Sequence, residues 1–268
     1  MKRVISVWLP RFATDRLSRP NAGAPLPDPS VPRATGAAIR GSQRLIATNQ
    51  AAEALGLTPS MTLADARALA PGLSVHPADP KADLALLERL CAACERYTPW
   101  AAVDPHGAFR GTGAGLWLDV TGCDHLFGGE DALLDAIAAR FARAGFRTRM
   151  ALAATPGAAW ALARTGHTDR VCALAGTERT LLHSLPLAAL RLDAALIEGL
   201  ERMGLRRIED LFHLPRAPLA QRFGRSALER LDQALGDIDE PISPRTPPPQ
   251  HAARRVFAEP IGRIEDIE

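Results

Sequence analysis

Along residues 116–121, Leu116, Leu118 and Val120 alternate with Trp117, Asp119 and Thr121, the period of two of a pleated strand, and Thr121-Gly122 closes the run as a turn. Val4 to Leu9, VISVWL, is a mostly apolar run rich in β-branched residues and predicts a buried strand opening the fold. Residues 20–33 contain five prolines and predict a loop. GAAIRG and RLIATN predict two short strands, and AAEALGL and TLADARALA two short helices. The second of these helices has Thr62 as its N-cap, Asp65 three residues on and Pro71 beyond its end.

A helix over 82–97 places Leu84, Leu87, Cys91 and Cys94 on one face. The strands AAVDPHGAF and GLWLDVTG follow, connected at Gly107. In EDALLDAIAARFARAGF the three-to-four spacing of Leu133, Ile137, Phe141 and Ala144 predicts an amphipathic helix that Gly145 ends. RTRMALAAT is the next strand, and PGAAWALARTG the next helix, with Pro156 in its first turn. The order strand, helix, two strands, helix, strand is that of an α+β, ferredoxin-like split βαβ unit with residues 20–75 inserted after its first strand. From about residue 170 the pattern is of short helices without strand signals, and SPRTPPPQ at 243–250 reads as a stiff linker.

With 268 residues, 47% of them hydrophobic and 23% charged, the chain is globular and long enough for a core domain with one or two smaller ones. The net charge of +2 carries no polybasic tail, so any contact with nucleic acid has to come from a local patch. The apolar start meets Pro10 and Arg11 before it reaches the length of a signal-peptide core, and no stretch approaches the ~18 consecutive apolar residues of a membrane span. Four cysteines are too few for a disulfide scaffold and point to a cytoplasmic protein with free thiols. Cys91 and Cys94 form a CxxC, but they share a helix face with leucines and no second CxxC follows, which favours the core over a zinc site. The histidines show no ligand spacing.

A split βαβ unit with a small insertion and a helical C-terminal module resembles the palm, fingers and thumb of Y-family translesion DNA polymerases. RLIATNQAAEALGLTPSMTLADARALAPGL looks like their fingers segment, and GLWLDVTG like the end of their palm motif Ser-Ile-Asp-Glu-Ala-Tyr-Leu-Asp-Val-Thr. SVWLPRFATDRL, LDVTGCDHLFGGE and ATPGAAWALARTG are most similar to a catalytically degenerate branch of that family. The resemblance implies a palm at 1–20 and 76–168, fingers at 21–75, a thumb at 169–242, the linker at 243–250 and the start of a truncated little finger at 251–268. The chain is thus expected to be an N-terminal fragment with the little finger essentially absent.

Phosphoryl transfer in such an enzyme needs divalent ions held by carboxylates, because hard cations take oxygen ligands and the transition state carries its charge on phosphate oxygens. The resemblance places Trp8, Leu9 and Pro10 where active relatives have Asp-hydrophobic-Asp, and Ala114 and Gly115 where they have Asp-Glu. The fingers Tyr and Arg that grip the triphosphate correspond to Gln50 and Glu53, the latter a change from clamp to repulsion. The aromatic sugar gate corresponds to Ala13 and the palm lysine to Ala161. No metal ion and no cofactor are therefore expected. Asp119 and Asp124 are the remaining candidates for a shifted metal site; Asp119 matches a structural residue of intact relatives and Asp124 lies past the turn. Asp15 and Asp104 read as capping or solvating loop ends.

LPLAALRLDAALIEGLERMGLRRIEDLFHLP resembles a helix-hairpin-helix, in which glycine hairpins let backbone amides approach phosphates. Arg191, Leu192 and Asp193 replace the first Gly-x-Gly hairpin, and the later turn keeps Gly204. Arg206, Arg207, Arg222 and Arg225 are the candidates for DNA phosphate contacts, with solvated helix charges as the equal alternative. The resemblance implies a noncatalytic scaffold for damage-induced translesion synthesis at the nucleoid. Its partners would be an accessory protein, an error-prone C-family polymerase and the sliding clamp, with weak nonspecific DNA binding and no membrane. The alternative functions are a weakly active translesion polymerase with displaced ligands such as Asp119, and a damage-DNA binding module that acts without partners.

Overall fold

The computed structural model describes residues 2–19, 27–109 and 112–245. Strand β1 (Val4–Leu9) is buried along its whole length, as its apolar run demands, and α1 (Phe12–Leu17) follows it directly. The inserted unit comprises β2 (Arg33–Ile39), β3 (Ser42–Thr48), α2 (Gln50–Ala54), α3 (Leu63–Leu69) and β4 (Ser74–Pro77). Its sheet has the order β3-β2-β4, with β2 antiparallel to β3 and parallel to β4. Asn49 ties the unit together: its side-chain oxygen accepts from the Ala52 and Arg33 amides, both at 2.9 Å, capping α2 while fixing the start of β2. Thr62 caps α3 through the Asp65 amide, and Ala34, Leu45, Ala52, Leu57 and Ala66 form a separate small core.

The main chain of elements continues with α4 (Pro80–Ala93), β5 (Trp100–Val103), β6 (Ala114–Asp119), α5 (Glu130–Arg143), β7 (Arg149–Ala153), α6 (Pro156–Thr165) and β8 (Arg170–Cys172). They build a five-stranded sheet of order β5-β6-β1-β7-β8, in which β1 runs antiparallel to β6 and β7. The alternation of β1 splits the core in two. Ile5, Val7 and Leu9 pack beneath α4 and α5 with Leu86, Leu133, Ile137 and Phe141, whereas Val4 and Trp8 face α6 on the other side.

The helical unit consists of α7 (Glu178–Leu182), α8 (Ala194–Arg202), α9 (Arg216–Phe223) and α10 (Ser226–Leu235). It shares one core with α6, which is why α6 is buried almost all round rather than along one stripe: Trp160 and Leu162 lie in the same cluster as Leu182, Leu190, Leu200, Leu231 and Ala234. The closest approach is at Gly157, where a Cβ would sit 2.7 Å from the Cα of Ala234, and Thr155 donates to the Ala234 carbonyl at 2.8 Å.

The α+β split βαβ architecture with its insertion is as expected, with local differences. β4, β8 and α1 were not anticipated; the two strands are only four and three residues long, too short to show a period. The strand at AAVDPHGAF ends at Val103. Leu84 is 51% exposed, and the core face of α4 is set by Leu86, Leu87 and Cys91, with Cys94 following in a 3₁₀ turn. Cys91 and Cys94 are buried core thiols, pushed up by desolvation to about 11 and about 12. Most of the linker and all of the little-finger segment expected at 243–268 lie outside the described residues. Among those described, no helix is long and apolar enough to cross a membrane.

Because Gly157 lies against backbone atoms that cannot swing aside, Gly157→Ala is expected to force α10 away from α6 and to lower the unfolding free energy by about 1–3 kcal/mol in urea titration. An unchanged midpoint would show that the two helices do not meet at this distance.

Candidate functional site

The centre of the palm-like sheet is occupied by aromatic rings and an ion pair. Trp8 lies opposite Gly115 in the β1–β6 register and Leu9 opposite Ala114. The Trp8 ring meets Phe109 edge-on at 6.0 Å, and Phe109 meets Trp160 of α6 at 5.7 Å. Arg164, one α6 turn beyond Trp160, spreads its guanidinium 4.1 Å from the Trp160 ring centre. It donates to Asp104 Oδ2 at 2.9 Å, to the Gly107 carbonyl at 3.0 Å and to Ser6 Oγ at 3.0 Å. Neither side chain of the pair reaches solvent. Burial pulls Arg164 down to about 9, with Asp104 opposing the shift.

This pair determines what position 115 can be. A Cβ at Gly115 would stand 2.7 Å from Arg164 Nη2 and 2.9 Å from Asp104 Oδ2. The glycine is required by the guanidinium, and a longer side chain has no room. Asp104, expected to cap or solvate a loop end, does cap the turn through the His106 amide at 2.8 Å, but its other oxygen is sequestered by Arg164.

A polymerase of this fold implies divalent cations at this place, and the residues do not fit them. Trp8, Leu9, Ala114 and Gly115 bring no oxygen ligand, and the Asp104 carboxylate is engaged by a fixed cation. Asp119 Oδ1 accepts from the Thr121 amide and hydroxyl at 3.1 and 2.6 Å, holding the turn after β6. Asp124 opens the following 3₁₀ turn. Among the described residues, no three His, Cys, Asp or Glu side chains gather as a metal site.

The inserted unit is tied to the sheet by Arg11, whose significance the sequence did not reveal. Its guanidinium donates to Glu53 Oε2 at 2.9 and 2.5 Å and to Gln50 Oε1 at 3.3 Å. Glu53 is therefore a compensated charge rather than a bare repulsive one. Ala13 is half-buried in α1, and Ala161 is fully buried within α6. Asp15 is not a solvated loop end: burial raises it from 3.8 to about 6 despite a hydrogen bond from the Arg147 amide and the nearby Arg11.

At the first hairpin of the helical unit Arg191 has φ +58°, so it keeps the left-handed backbone that glycine supplies in the family pattern. Its side chain is turned inward, bidentate to Glu240 at 2.6 and 2.8 Å and only 3% exposed. Leu192 follows it, and Asp193 precedes α8 without making a side-chain cap. Arg230 shares Glu240 at 3.2 Å and donates to His106 Nε2, which burial and the two arginines hold below its ordinary range. At the second hairpin Gly204 has φ +85°, but the amides of Arg206 and Arg207 both donate to Asp210, at 2.7 and 2.8 Å. The candidate arginines fall into two exposed pairs: Arg206 and Arg207 after α8, and Arg222 and Arg225 on either side of Gly224.

A split βαβ sheet with a small inserted sheet and an α-helical module packed on its last helix defines the Y-family DNA polymerase architecture. The chain superimposes on the insertion ternary complex of Dbh DNA polymerase with a TM-score of 0.71, and on DinB from Sulfolobus solfataricus with 0.67. Both are 18% identical to it, and in each case 90% of this chain is aligned with 69% of the other. The chain belongs to the impB/mucB/samB family, which it matches over residues 27–164, just over half its length. It is 46% identical over 213 residues to Protein ImuB of two Caulobacter vibrioides strains, NA1000 / CB15N and CB 15. That match covers 80% of this chain but 45% of each relative, so the chain spans less than half their length.

Removing one member of the buried pair leaves the other charge unpaired, so Arg164→Met is expected to cost about 3–5 kcal/mol in chemical denaturation. The double change Arg164→Met with Asp104→Leu should recover most of that loss. A single change costing under about 1 kcal/mol would contradict the geometry.

The Asp15 carboxyl binds its proton more tightly folded than unfolded, so its contribution to stability is present below about pH 4 and lost as pH rises through about 6. Asp15→Asn should therefore exceed the parent by about 1–3 kcal/mol at pH 8 and converge with it near pH 4. Stability curves that stay parallel over this window would refute the assignment.

Proposed function

We propose that this chain is a noncatalytic, polymerase-like scaffold in damage-induced translesion synthesis. In this reading it links an ImuA-like accessory protein, the error-prone C-family polymerase ImuC and the sliding clamp. On the same reading the palm comprises 1–20 and 76–168, the fingers 21–75 and the thumb 169–242. The observation that carries the reading is the Arg164–Asp104 pair over Gly115: a fixed guanidinium stands where a catalytic palm needs carboxylates and metal. Arg11 engages the fingers residues that would otherwise face a triphosphate, so positioning of a nucleotide is lost independently of the metals. Contact with DNA is left to Arg206, Arg207, Arg222 and Arg225 and is weak, nonspecific and salt-sensitive.

Primer extension with magnesium or manganese tests the reading and is expected to stay at the no-enzyme level. The triple change Trp8→Asp, Ala114→Asp and Gly115→Glu should be inactive and less stable by several kcal/mol, because Gly115→Glu collides with the buried pair and Trp8→Asp buries a carboxylate in place of a packed ring. Template-dependent incorporation by the parent chain, abolished by Asp119→Asn, would overturn the proposal in favour of a polymerase with displaced ligands.

A further inference from the structure

The helical side of the palm sheet, away from Trp8 and Arg164, carries a groove of about 340 Å³ at the ends of α4 and α5. Its walls are apolar, from Leu90, Ala93 and Ala144 over Phe141, and Arg19, Arg140 and Arg143 line it as well. Among the described residues none of these three arginines has a carboxylate within 4.0 Å, whereas the nearby Arg16 and Arg170 are matched to Asp83 and Asp135. Arg140 and Arg143 stand in the last turn of α5, where the helix dipole favours cations. That does not account for Arg19, which comes from the end of α1 and rests 5.2 Å over the Phe146 ring, itself stacked on Phe12 at 5.5 Å. Three guanidinium groups thus line one apolar depression, and no carboxylate among the described residues matches them.

We infer that this groove is a docking site for an acidic protein segment that inserts an apolar side chain between its carboxylates. The charge calls for an anionic occupant, and guanidinium forks favour carboxylate oxygens. The apolar walls call for an occupant that also brings a hydrophobic side chain, which a free phosphate or a nucleic-acid backbone does not. The volume is at the small end for a ligand pocket and fits one anchoring side chain of a peptide. Because the groove and the filled palm lie on opposite faces of the sheet, the inference does not depend on the absence of catalysis.

The test is to pan a random dodecapeptide display library on the chain, with counter-selection on the variant Arg19→Glu/Arg140→Glu/Arg143→Glu. Peptides retained by the parent alone are expected to carry Asp or Glu on both sides of a Leu, Phe or Trp. Their Kd, measured by fluorescence anisotropy, should rise at least about tenfold in the triple variant, and again in Ala93→Trp, which fills the groove without altering its charge. A single-stranded oligonucleotide should bind the parent and both variants equally. The inference fails if no peptide distinguishes parent from variant, if the distinguishing peptides lack carboxylates, or if Ala93→Trp leaves their affinity unchanged. It also fails if oligonucleotide binding falls tenfold in the triple variant, which would make the surface a nucleic-acid contact.

Discussion

Two opposite charges removed from water cost several kcal/mol each unless their remaining donors and acceptors are met, and the Arg164–Asp104 pair meets all of its own but Arg164 Nε by dictating its surroundings. Ser6 on β1 and the Gly107 carbonyl take guanidinium protons, and the Trp160 ring covers its face. The loop carrying Asp104 has to run tightly along β6: a Cβ on Gly107 would stand 2.4 Å from the Gly115 amide, so neither glycine can gain a side chain. Trp160 holds the loop in place by donating to the His106 carbonyl at 3.1 Å. Sheet, loop and α6 are interlocked around one cation.

Comparable clasps recur in the other two units with different strengths. Arg191 and Glu240 are 3% and 12% exposed and bidentate, so their bond fixes the first hairpin against the segment that follows α10, much as Arg164 fixes the loop. Arg11 and Glu53 are 17% and 40% exposed, and a pair at such a surface contributes about 0–1 kcal/mol. The Arg11–Glu53 clasp is accordingly the weaker of the two. In each clasp an arginine faces a carboxylate of the same chain, and both charges are used internally.

The parts of the fold legible in the sequence are those whose burial imposes a period. VISVWL and GLWLDV are read as buried strands because both faces or one face are consistently apolar, and α5 from its repeating Leu133, Ile137 and Phe141. The architecture around the site was legible and its contents were not. Arg164 did carry a signal: it is the one charged residue of the otherwise apolar helix PGAAWALART, and a lone charge on a helix buried all round calls for a partner. The partner is sixty residues away in sequence, so no local pattern could name Asp104. Likewise, the sequence showed Arg191 in place of a hairpin glycine, but not that the backbone stays left-handed there and that the side chain turns inward to Glu240, compensating the strain.

The segment leaving α10 returns to the sheet it started from. Glu240 accepts from Arg191 and Arg230, and the Arg245 amide donates to the Ala101 carbonyl at 2.7 Å on the outer side of β5, while its side chain reaches Glu95 at 2.5 Å. β5 is a terminal strand of the sheet and carries Trp100, 56% exposed. Unpaired edges of this kind recruit strands from other molecules. The Arg245 amide takes up one acceptor of that rim, the Ala101 carbonyl, which a strand from another molecule would otherwise use.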